Sequence, residues 1–336
     1  MIWFTLWPML DVLASGPLLT VQDLGRAFAR RYGVPTGGAM DRFALVAANR
    51  LAGNPPGAAA LEVTAGGAEL AFAAPLLIAV TGADLGAYCN DRPLPLWIAV
   101  RVWRGERIRF VGRSGSWGAR AYLAVAGGIA VPSVLGSRAT DLAGAFGGLE
   151  GRALRSGDRL ATGPALLVDP GSGRYWPPAL RPPYSPVPTL RLVPGPHSSG
   201  FAPETLGLLT MHTWRVGPTS NRMGYRLEGP PLMALSPFDL PSFGVVPGAV
   251  QVPPDGAPIL LMADAQTTGG YPVIGTVIGP DLPLAAQLLP GDALRLAFIT
   301  LDEALAARRA FVAALQQPLD ADEGDLLAAL AGSLSR

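Results

Sequence analysis

The stretch PILLMADAQTTGGYPVIGTVI, residues 258–278, places a polar loop between two apolar runs. PILLM and VIGTVI are short, aliphatic and bounded by Pro, Gly and Asp, as β-strands are. In the loop, the side chains that can form hydrogen bonds belong to Asp264, Gln266, Thr267, Thr268 and Tyr271. The pair Gly269-Gly270 lets backbone N–H groups come close to a ligand. A turn that only reverses the chain needs fewer polar groups, so we predict a ligand-binding loop at 264–272.

Similar strand-like runs recur along the whole chain. They are separated by many of the 42 Gly and 34 Pro residues, a pattern typical of barrels and sandwiches. The runs lie at 10–13, 61–64, 69–72, 76–80, 97–103, 107–111, 121–127, 190–193, 213–217, 245–252, 258–264, 271–278 and 294–299. We predict a mainly β protein with two β-barrel domains, a few short helices and a C-terminal helical tail.

Helical periodicity is confined to a few segments. In GAMDRFALVAANRLAGN, an apolar stripe runs from Met40 to Leu51, and Gly53 then offers the left-handed conformation that ends a helix. LDEALAARRAFVAAL, residues 301–315, is rich in Ala and Leu at helical spacing, and a second short helix is expected near 326–334.

These patterns divide the chain into five parts. The boundary between the barrels is placed at a Pro-rich stretch without periodicity. The predicted parts are an N-terminal extension at 1–8, with Met9 as an alternative start, a first barrel at 9–175, a linker at 176–189, a second barrel at 190–300 and the helical tail at 301–336.

The basic residues restrict the chemistry. All 26 are arginine, because the sequence contains no lysine. A Schiff base, covalent pyridoxal phosphate, a P-loop lysine and a biotinyl-lysine are therefore excluded. A nucleotide or a biotin would have to be bound non-covalently or carried by a partner.

Metal and thiol chemistry have little support. The single Cys89 permits no internal disulfide and no cysteine-rich zinc site. With only His197 and His212, we identify no metal ligand set. The sequence also lacks G-x-S-x-G and a strand followed by GxGxxG, so a serine-hydrolase elbow and a Rossmann site are unsupported.

Charge and hydropathy argue against nucleic acid and membrane partners. The net charge is +1, without a basic run. The apolar start MIWFTLWPML is too short to span a bilayer and lacks a basic region or cleavage site. We predict a cytoplasmic protein.

Further polar clusters lie at predicted strand or helix ends. They add Gln22, Asp23, Arg26, Asp41, Asn49, Asn221, Arg222 and Tyr225 to the candidates. Arginine forks suit a carboxylate, phosphate or ureido oxygen, and amides and hydroxyls suit a planar amide. Each residue also has a structural interpretation: Asp41 as a helix cap, Gln22 and Asp23 as turn residues.

The chain resembles a known family over a long stretch, from about Met9 to about Phe298. LLTVQDLGR, GVPTGGAMDRFALVAANRLAGN, SNRMGYRLEG and PGAVQVPPDGAPILLMADAQTTGGYPVIGTVIGPDLPLAAQLLPGD look like the KipA, or allophanate hydrolase subunit 2, family. This is the biotin-dependent carboxyltransferase family, and the resemblance is strongest to its 5-oxoprolinase (PxpC) members.

The resemblance implies cyclophilin-like β-barrels and an assembly with other chains. The implied partners are a KipI-like (PxpB-like) chain and a PxpA-like chain. ATP would serve the whole complex, bound here or by a partner, and carboxybiotin on a partner is the alternative cofactor.

Three functions remain open. The first is a subunit of an ATP-dependent 5-oxoprolinase, which opens 5-oxo-L-proline to L-glutamate. The second is carboxyl transfer from carboxybiotin to urea or a related amide, and the third is a non-enzymatic KipA-like regulator that binds a KipI-like kinase inhibitor. For catalysis we predict Asp23, Arg222, Asp264 and Gln266. For substrate binding we predict Gln22, Arg26, Asp41, Asn49, Asn221, Tyr225, Thr267, Thr268 and Tyr271.

Overall fold

The chain folds into two compact units, neither of which is one continuous piece of sequence. The computed structural model describes residues 9–115, 117–164 and 171–319. The first unit contains 9–25, Asp41–Arg181 and 317–319, and the second contains Arg26–Met40 and Pro182–Gln316. The division after Arg181 falls within the predicted linker. The membership of Arg26–Met40 in the second unit is a feature that the sequence did not indicate.

The described part of the first unit consists of short strands and one α-helix. In chain order these are β1 (Met9–Ser15), β2 (Leu18–Gln22), α1 (Arg42–Leu51), β3 (Ala60–Thr64), β4 (Ala68–Phe72), β5 (Leu76–Gly82), β6 (Ala87–Cys89), β7 (Arg92–Pro93), β8 (Ala99–Val102), β9 (Arg107–Phe110), β10 (Arg120–Val125) and β11 (Arg159–Ala161).

Two antiparallel sheets of the first unit share one apolar core. Their strand orders are β11-β1-β4-β9-β6-β7 and β2-β3-β10-β5-β8. Alternate side chains point into the core, for example Leu10 and Val12 of β1 and Leu61 and Val63 of β3. Each such side chain contributes about 1.5–3 kcal/mol when it is fully buried. Because side chains alternate along a strand, burial of Leu61 and Val63 in this core places the residues between them on the opposite face of the five-stranded sheet.

That outer face of the five-stranded sheet is covered in part by α1. The helix packs on β5 and β10 and is buried on most of its surface, from Phe43 to Asn49. Asp41 caps its first turn, because its carboxylate accepts from Ala44 N at 2.9 Å. Gly53 follows with φ 77°, as the sequence predicted.

The second unit is a barrel with short helices around it. In chain order its elements are β12 (Thr189–Pro194), α2 (Pro203–Met211), β13 (Trp214–Val216), β14 (Gly224–Glu228), β15 (Phe243–Gly244), β16 (Ala249–Gln251), β17 (Ile259–Leu261), β18 (Thr268–Gly269), β19 (Val273–Val277), α3 (Leu282–Ala286), β20 (Ala293–Phe298) and α4 (Leu301–Gln316).

Seven of these strands close the barrel in the order β12-β19-β16-β17-β14-β13-β20. Closure comes from β12, which pairs antiparallel with β19 and parallel with β20. Leu190, Leu192, Leu294, Leu296 and Trp214 lie in its buried core. The separate pair β15-β18 forms a two-stranded ribbon.

The segment Arg26–Met40 completes this second unit. Met40 lies in the core of the barrel unit. Gly37 N donates to Ala263 O at 3.0 Å, and the guanidinium of Arg30 donates to Val245 O. Residues near the start of the chain thus supply part of a unit that is otherwise built from its second half.

The mainly β prediction and the barrel are confirmed. In the first unit, for which the sequence predicted a β-barrel, the strands form two sheets around one core. The helical tail is present as α4, and the expected helix near 326–334 and the extension at 1–8 lie outside the described residues. Among the described residues, no helix has both the length and the apolar character needed to cross a bilayer.

Candidate functional site

Asp23, predicted as catalytic, is fully engaged as a turn acceptor. Its Oδ1 accepts from Gly25 N at 2.7 Å and from Ser137 Oγ at 2.6 Å, and its Oδ2 accepts from Arg138 N at 2.6 Å. Three short hydrogen bonds lock the orientation of this carboxylate. The structure therefore gives Asp23 the role of holding the loop that contains Ser137 against the end of β2.

Gln22 is completely buried at the end of β2. Its Nε2 donates to Thr20 Oγ1 at 3.1 Å and to Thr140 O at 3.3 Å. Within the described residues, its Oε1 is buried without a hydrogen-bond partner. Such an acceptor is costly to bury, so Gln22 remains a candidate for a contact with a donor group.

Asp41 and Asn49 hold the two ends of α1. Asp41 is the helix cap described above, as its structural interpretation predicted. Asn49 Nδ2 donates to Ala58 O at 2.7 Å, and its Oδ1 accepts from Asn54 Nδ2 at 3.1 Å. Both side chains are 0% exposed. Their polar atoms thus satisfy backbone and side-chain groups of the first unit.

Beneath α1 lies a row of buried polar side chains, one on each of four neighbouring strands, that the sequence analysis did not predict. Thr20, Glu62, Tyr122 and Thr81 are register partners across β2, β3, β10 and β5, and all are 0% exposed. Tyr122 Oη donates to Glu62 Oε2 at 2.7 Å and accepts from Asp41 N at 2.7 Å. The signal available in the sequence was a lone acidic residue inside the strand run LEVT.

The surroundings of Tyr122 keep its phenol protonated. Burial first, and then the Glu62 carboxylate, raises the pKa of Tyr122 well above its ordinary value of 10. The guanidinium of Arg120 lies 3.8 Å from the other carboxylate oxygen of Glu62. This network joins the five-stranded sheet to the start of α1.

In the second unit, Arg222 and Asp264 form a buried two-point ion pair. Arg222 Nε lies 2.8 Å from Asp264 Oδ2, and its Nη2 lies 3.0 Å from Oδ1. Nη2 also donates to Gly38 O at 2.5 Å. Because Gly38 belongs to Arg26–Met40, the pair fastens that segment to the loop after β17. Both carboxylate oxygens of Asp264 are occupied, which does not suit the proton transfer predicted for it.

Arg26 lies beside this ion pair. A Cβ added at Gly37 would stand 3.3 Å from Arg26 Nη1 and 3.7 Å from Asp264 Oδ1. Arg26 is only 1% exposed, so its guanidinium is a buried charge of the second unit. Gly37, with φ 61°, allows the two side chains to flank the backbone at this point.

The loop at 264–272 is held by Gln251, a second residue that the sequence did not single out. Gln251, at the end of β16, donates from Nε2 to Tyr271 O and accepts at Oε1 from Gln266 Nε2, both at 3.4 Å. Thr268 lies in the ribbon opposite Gly244, and Thr267 O accepts from Val245 N at 3.0 Å. The loop is thus held through the Gln251 and Gln266 amides and through the backbones of Thr267 and Thr268.

Asn221 and Tyr225 have structural contacts in the same unit. Asn221 Oδ1 accepts from Met223 N at 2.8 Å in the turn before β14. The Tyr225 side chain lies in the barrel core, and its Oη donates to Leu288 O at 3.4 Å. Tyr271, in contrast, is 46% exposed at the loop. Of the predicted residues in this unit, Arg26, Arg222, Asp264, Gln266, Thr267, Thr268 and Tyr271 cluster around the loop.

Among residues 9–115, 117–164 and 171–319, no group of three or more His, Cys, Asp or Glu side chains is placed to hold a metal ion. The candidate site is therefore a set of amides, hydroxyls and arginines around the loop at 264–272, with Gln22 as a separate candidate in the first unit.

Comparison with known proteins places these features in a family. Residues 32–298 match the family model described as "Carboxyltransferase domain, subdomain A and B". The chain is 39% identical over 311 residues to the C subunit of 5-oxoprolinase from Escherichia coli, and 37% identical over 305 residues to that from Haemophilus influenzae. In both cases the match covers 90% of this chain and 94% of the relative.

A solved structure matches almost the whole fold. The chain aligns with the urea carboxylase of Kluyveromyces lactis with a TM-score of 0.87 and 30% identity. The match covers 96% of this chain but only 30% of that enzyme. At the level of fold, this chain is thus similar to one part of a larger polypeptide.

Proposed function

Because the chain belongs to the carboxyltransferase-domain family with subdomains A and B, we propose that it is the PxpC-type subunit of an ATP-dependent 5-oxoprolinase. The complex would open the lactam of 5-oxo-L-proline to give L-glutamate. It would also contain a KipI-like (PxpB-like) chain and a PxpA-like chain, with ATP serving the complex as a whole.

The observation that carries this proposal is the degree of sequence identity. The chain is 39% and 37% identical to the two 5-oxoprolinase subunits. It is 30% identical to the urea carboxylase of Kluyveromyces lactis. The higher identity supports a counterpart of the 5-oxoprolinase subunit over a urea carboxylase domain.

The loop at 264–272 suits a planar C(=O)–N group. Gln266 and Thr267 offer neutral hydrogen-bonding groups that would orient an amide. A lactam is stabilised by resonance, so opening it requires activation of its oxygen, and ATP would supply that activation. We assign Arg222 and Asp264 to holding the loop, since they satisfy each other and Gly38.

Reconstitution of the complex tests the proposal. The chain would be purified together with PxpA-like and PxpB-like chains, and glutamate release from 5-oxo-L-proline would be followed with and without ATP. We expect ATP-dependent release only when all three chains are present. Full activity of this chain alone, or ATP turnover that ignores 5-oxoproline, would contradict the assignment.

Carboxyl transfer is the second candidate, and the family description and the urea carboxylase structure favour it. The same loop would hold the ureido group of carboxybiotin or an amide acceptor. Because the chain contains no lysine, biotin would be attached to a partner. ATP turnover that requires a biotinylated carrier, in place of 5-oxoproline, would select this function.

A further inference from the structure

We propose that Gln251 fixes the orientation of the Gln266 amide, so that Gln266 presents its carbonyl oxygen to the ligand and selects a ligand group that carries an N–H. The identity of the ligand rests on the proposed function, and the orientation of the amide does not. Gln251 would act as a positioning residue, and Gln266 would touch the ligand.

The orientation begins at a backbone carbonyl. Gln251 is 1% exposed, and its amide group contacts Tyr271 O at 3.4 Å. A carbonyl oxygen can only accept, so the nitrogen of the Gln251 amide must face Tyr271. Its oxygen then faces Gln266, at 3.4 Å from Gln266 Nε2.

The same hydrogen-bonding argument fixes the orientation of the Gln266 side-chain amide. The oxygen of Gln251 can only accept, so Gln266 must turn its NH₂ group toward Gln251. In the described part of the chain, Gln266 Oε1 has no hydrogen-bond partner, and the side chain is half-buried. A glutamine without such a neighbour can rotate its amide and offer either a donor or an acceptor. Gln251 removes that choice.

This polarity defines the chemical class of the ligand. An acceptor at Gln266 Oε1 binds the N–H of a lactam, an unsubstituted urea or a biotin ureido group. It rejects a lactone, an ester or a carboxylate, because two acceptors would face each other without a proton between them. A polar group left unpaired in the bound state costs about 1–3 kcal/mol, which corresponds to about a fivefold to 150-fold preference for the N–H ligand.

Two neighbouring glycines provide a matched pair of variants. A Cβ at Gly269 would lie 2.8 Å from Gln251 Nε2, so Gly269→Ala would displace the Gln251 amide from Tyr271. The atom that must move is the end of a side chain, and the fold should tolerate the shift. A Cβ at Gly270 would have only Leu240 O nearby, at 3.7 Å, so Gly270→Ala is the control.

The test compares two ligands that differ by one group. Binding of 5-oxoproline and of its lactone analogue, in which the ring N–H is replaced by O, would be measured on the full-length chain, alone and assembled with its partners. Wild type and Gly270→Ala should prefer the lactam by about fivefold or more. In Gly269→Ala and Gln251→Leu the preference should fall to less than about threefold, while circular dichroism shows a folded protein.

The outcomes separate this inference from the proposed function. If 5-oxoproline does not bind, but the cyclic urea 2-imidazolidinone is preferred over its N,N′-dimethyl form and Gly269→Ala abolishes the preference, the substrate is wrong and the role of Gln251 stands. If wild type prefers neither N–H ligand over its analogue, or if Gly270→Ala and Gly269→Ala behave alike, the inference is overturned.

Discussion

At the residue scale, several polar side chains that the sequence offers as candidates for catalysis or substrate binding hold the backbone in place. Asp23, Asp41 and Asn49 satisfy N–H and C=O groups at the ends of β2 and α1. Sequence gives their residue type but not their partners, because Ser137 lies far along the chain from Asp23. The polar loop at 264–272 was predictable because its hydrogen-bonding groups are contiguous. Gln251, which orients it, comes from another strand and was not.

Asp264→Asn tests whether the ion pair is structural. The substitution leaves the buried guanidinium of Arg222 without its countercharge, and breaking such a pair costs about 3–5 kcal/mol. We expect a loss of that size in the free energy of unfolding measured in urea. Asp11→Asn, which removes the partner of Arg159 in an exposed pair, should cost less than about 1 kcal/mol. Unchanged stability with abolished activity would instead favour a catalytic Asp264.

Tyr122 should make the protein sensitive to alkali. Its pKa in the folded state lies above the unfolded value, so the folded protein keeps the phenol proton in a pH range where the unfolded chain releases it. The stability contributed by this proton is complete below about pH 10 and is lost as pH rises from there toward the folded pKa.

Tyr122→Phe should remove this loss. It lowers stability near neutral pH by about 1–3 kcal/mol, because Glu62 Oε2 and Asp41 N each lose the hydrogen bond to Tyr122 Oη. The fall in unfolding free energy between about pH 9 and pH 11 should then be smaller than in wild type. Parallel stability curves for the two proteins would show that Tyr122 does not carry the effect.

At the scale of elements, long apolar segments were predictable and short ones were not. The strands β3, β4, β5 and β10 and the helices α1 and α4 follow from hydrophobic pattern and punctuation. The two-residue strands β7, β15 and β18 exist because a neighbouring strand pairs with them, which no local pattern records. The helix α2 begins at a proline, a start signal that the strand-rich context obscured.

The start of α1 offers a test of capping. Asp41→Ala removes the acceptor for Ala44 N and should cost about 1–2 kcal/mol in unfolding free energy. Asp41→Asn keeps an oxygen at the cap, so it should cost only a few tenths of a kcal/mol. Equal losses in the two variants would mean that the charge of Asp41, rather than its hydrogen bond, stabilises the helix.

At the scale of the whole molecule, a division into two mainly β parts was predictable, but the path of the chain was not. The Pro-rich stretch marks one boundary because it lacks periodicity. The segment Arg26–Met40 has no such mark, and its place in the second unit depends on Met40 in that core and on Gly37 and Gly38 at the loop. Contacts of this kind are set by tertiary packing.

The second unit should not fold from its C-terminal sequence alone. A fragment of residues 182–316 lacks Met40, the Gly37 N–H that donates to Ala263 O, and the Gly38 carbonyl that accepts from Arg222 Nη2. We expect it to show no cooperative thermal transition by circular dichroism. Fusing residues 26–40 through a flexible linker should restore the transition, and a scrambled version of those residues should not. A cooperative transition in the bare fragment would contradict this expectation.

The second unit cannot complete its fold until long after the segment Arg26–Met40 has been synthesised. Gly37 leaves the ribosome long before Ala263, to which it bonds, has been made. At about 5–20 residues per second, the wait is on the order of ten seconds or more. Throughout that interval Met40 cannot be buried in the barrel core, so its segment is a target for a chaperone that binds emerging polypeptides.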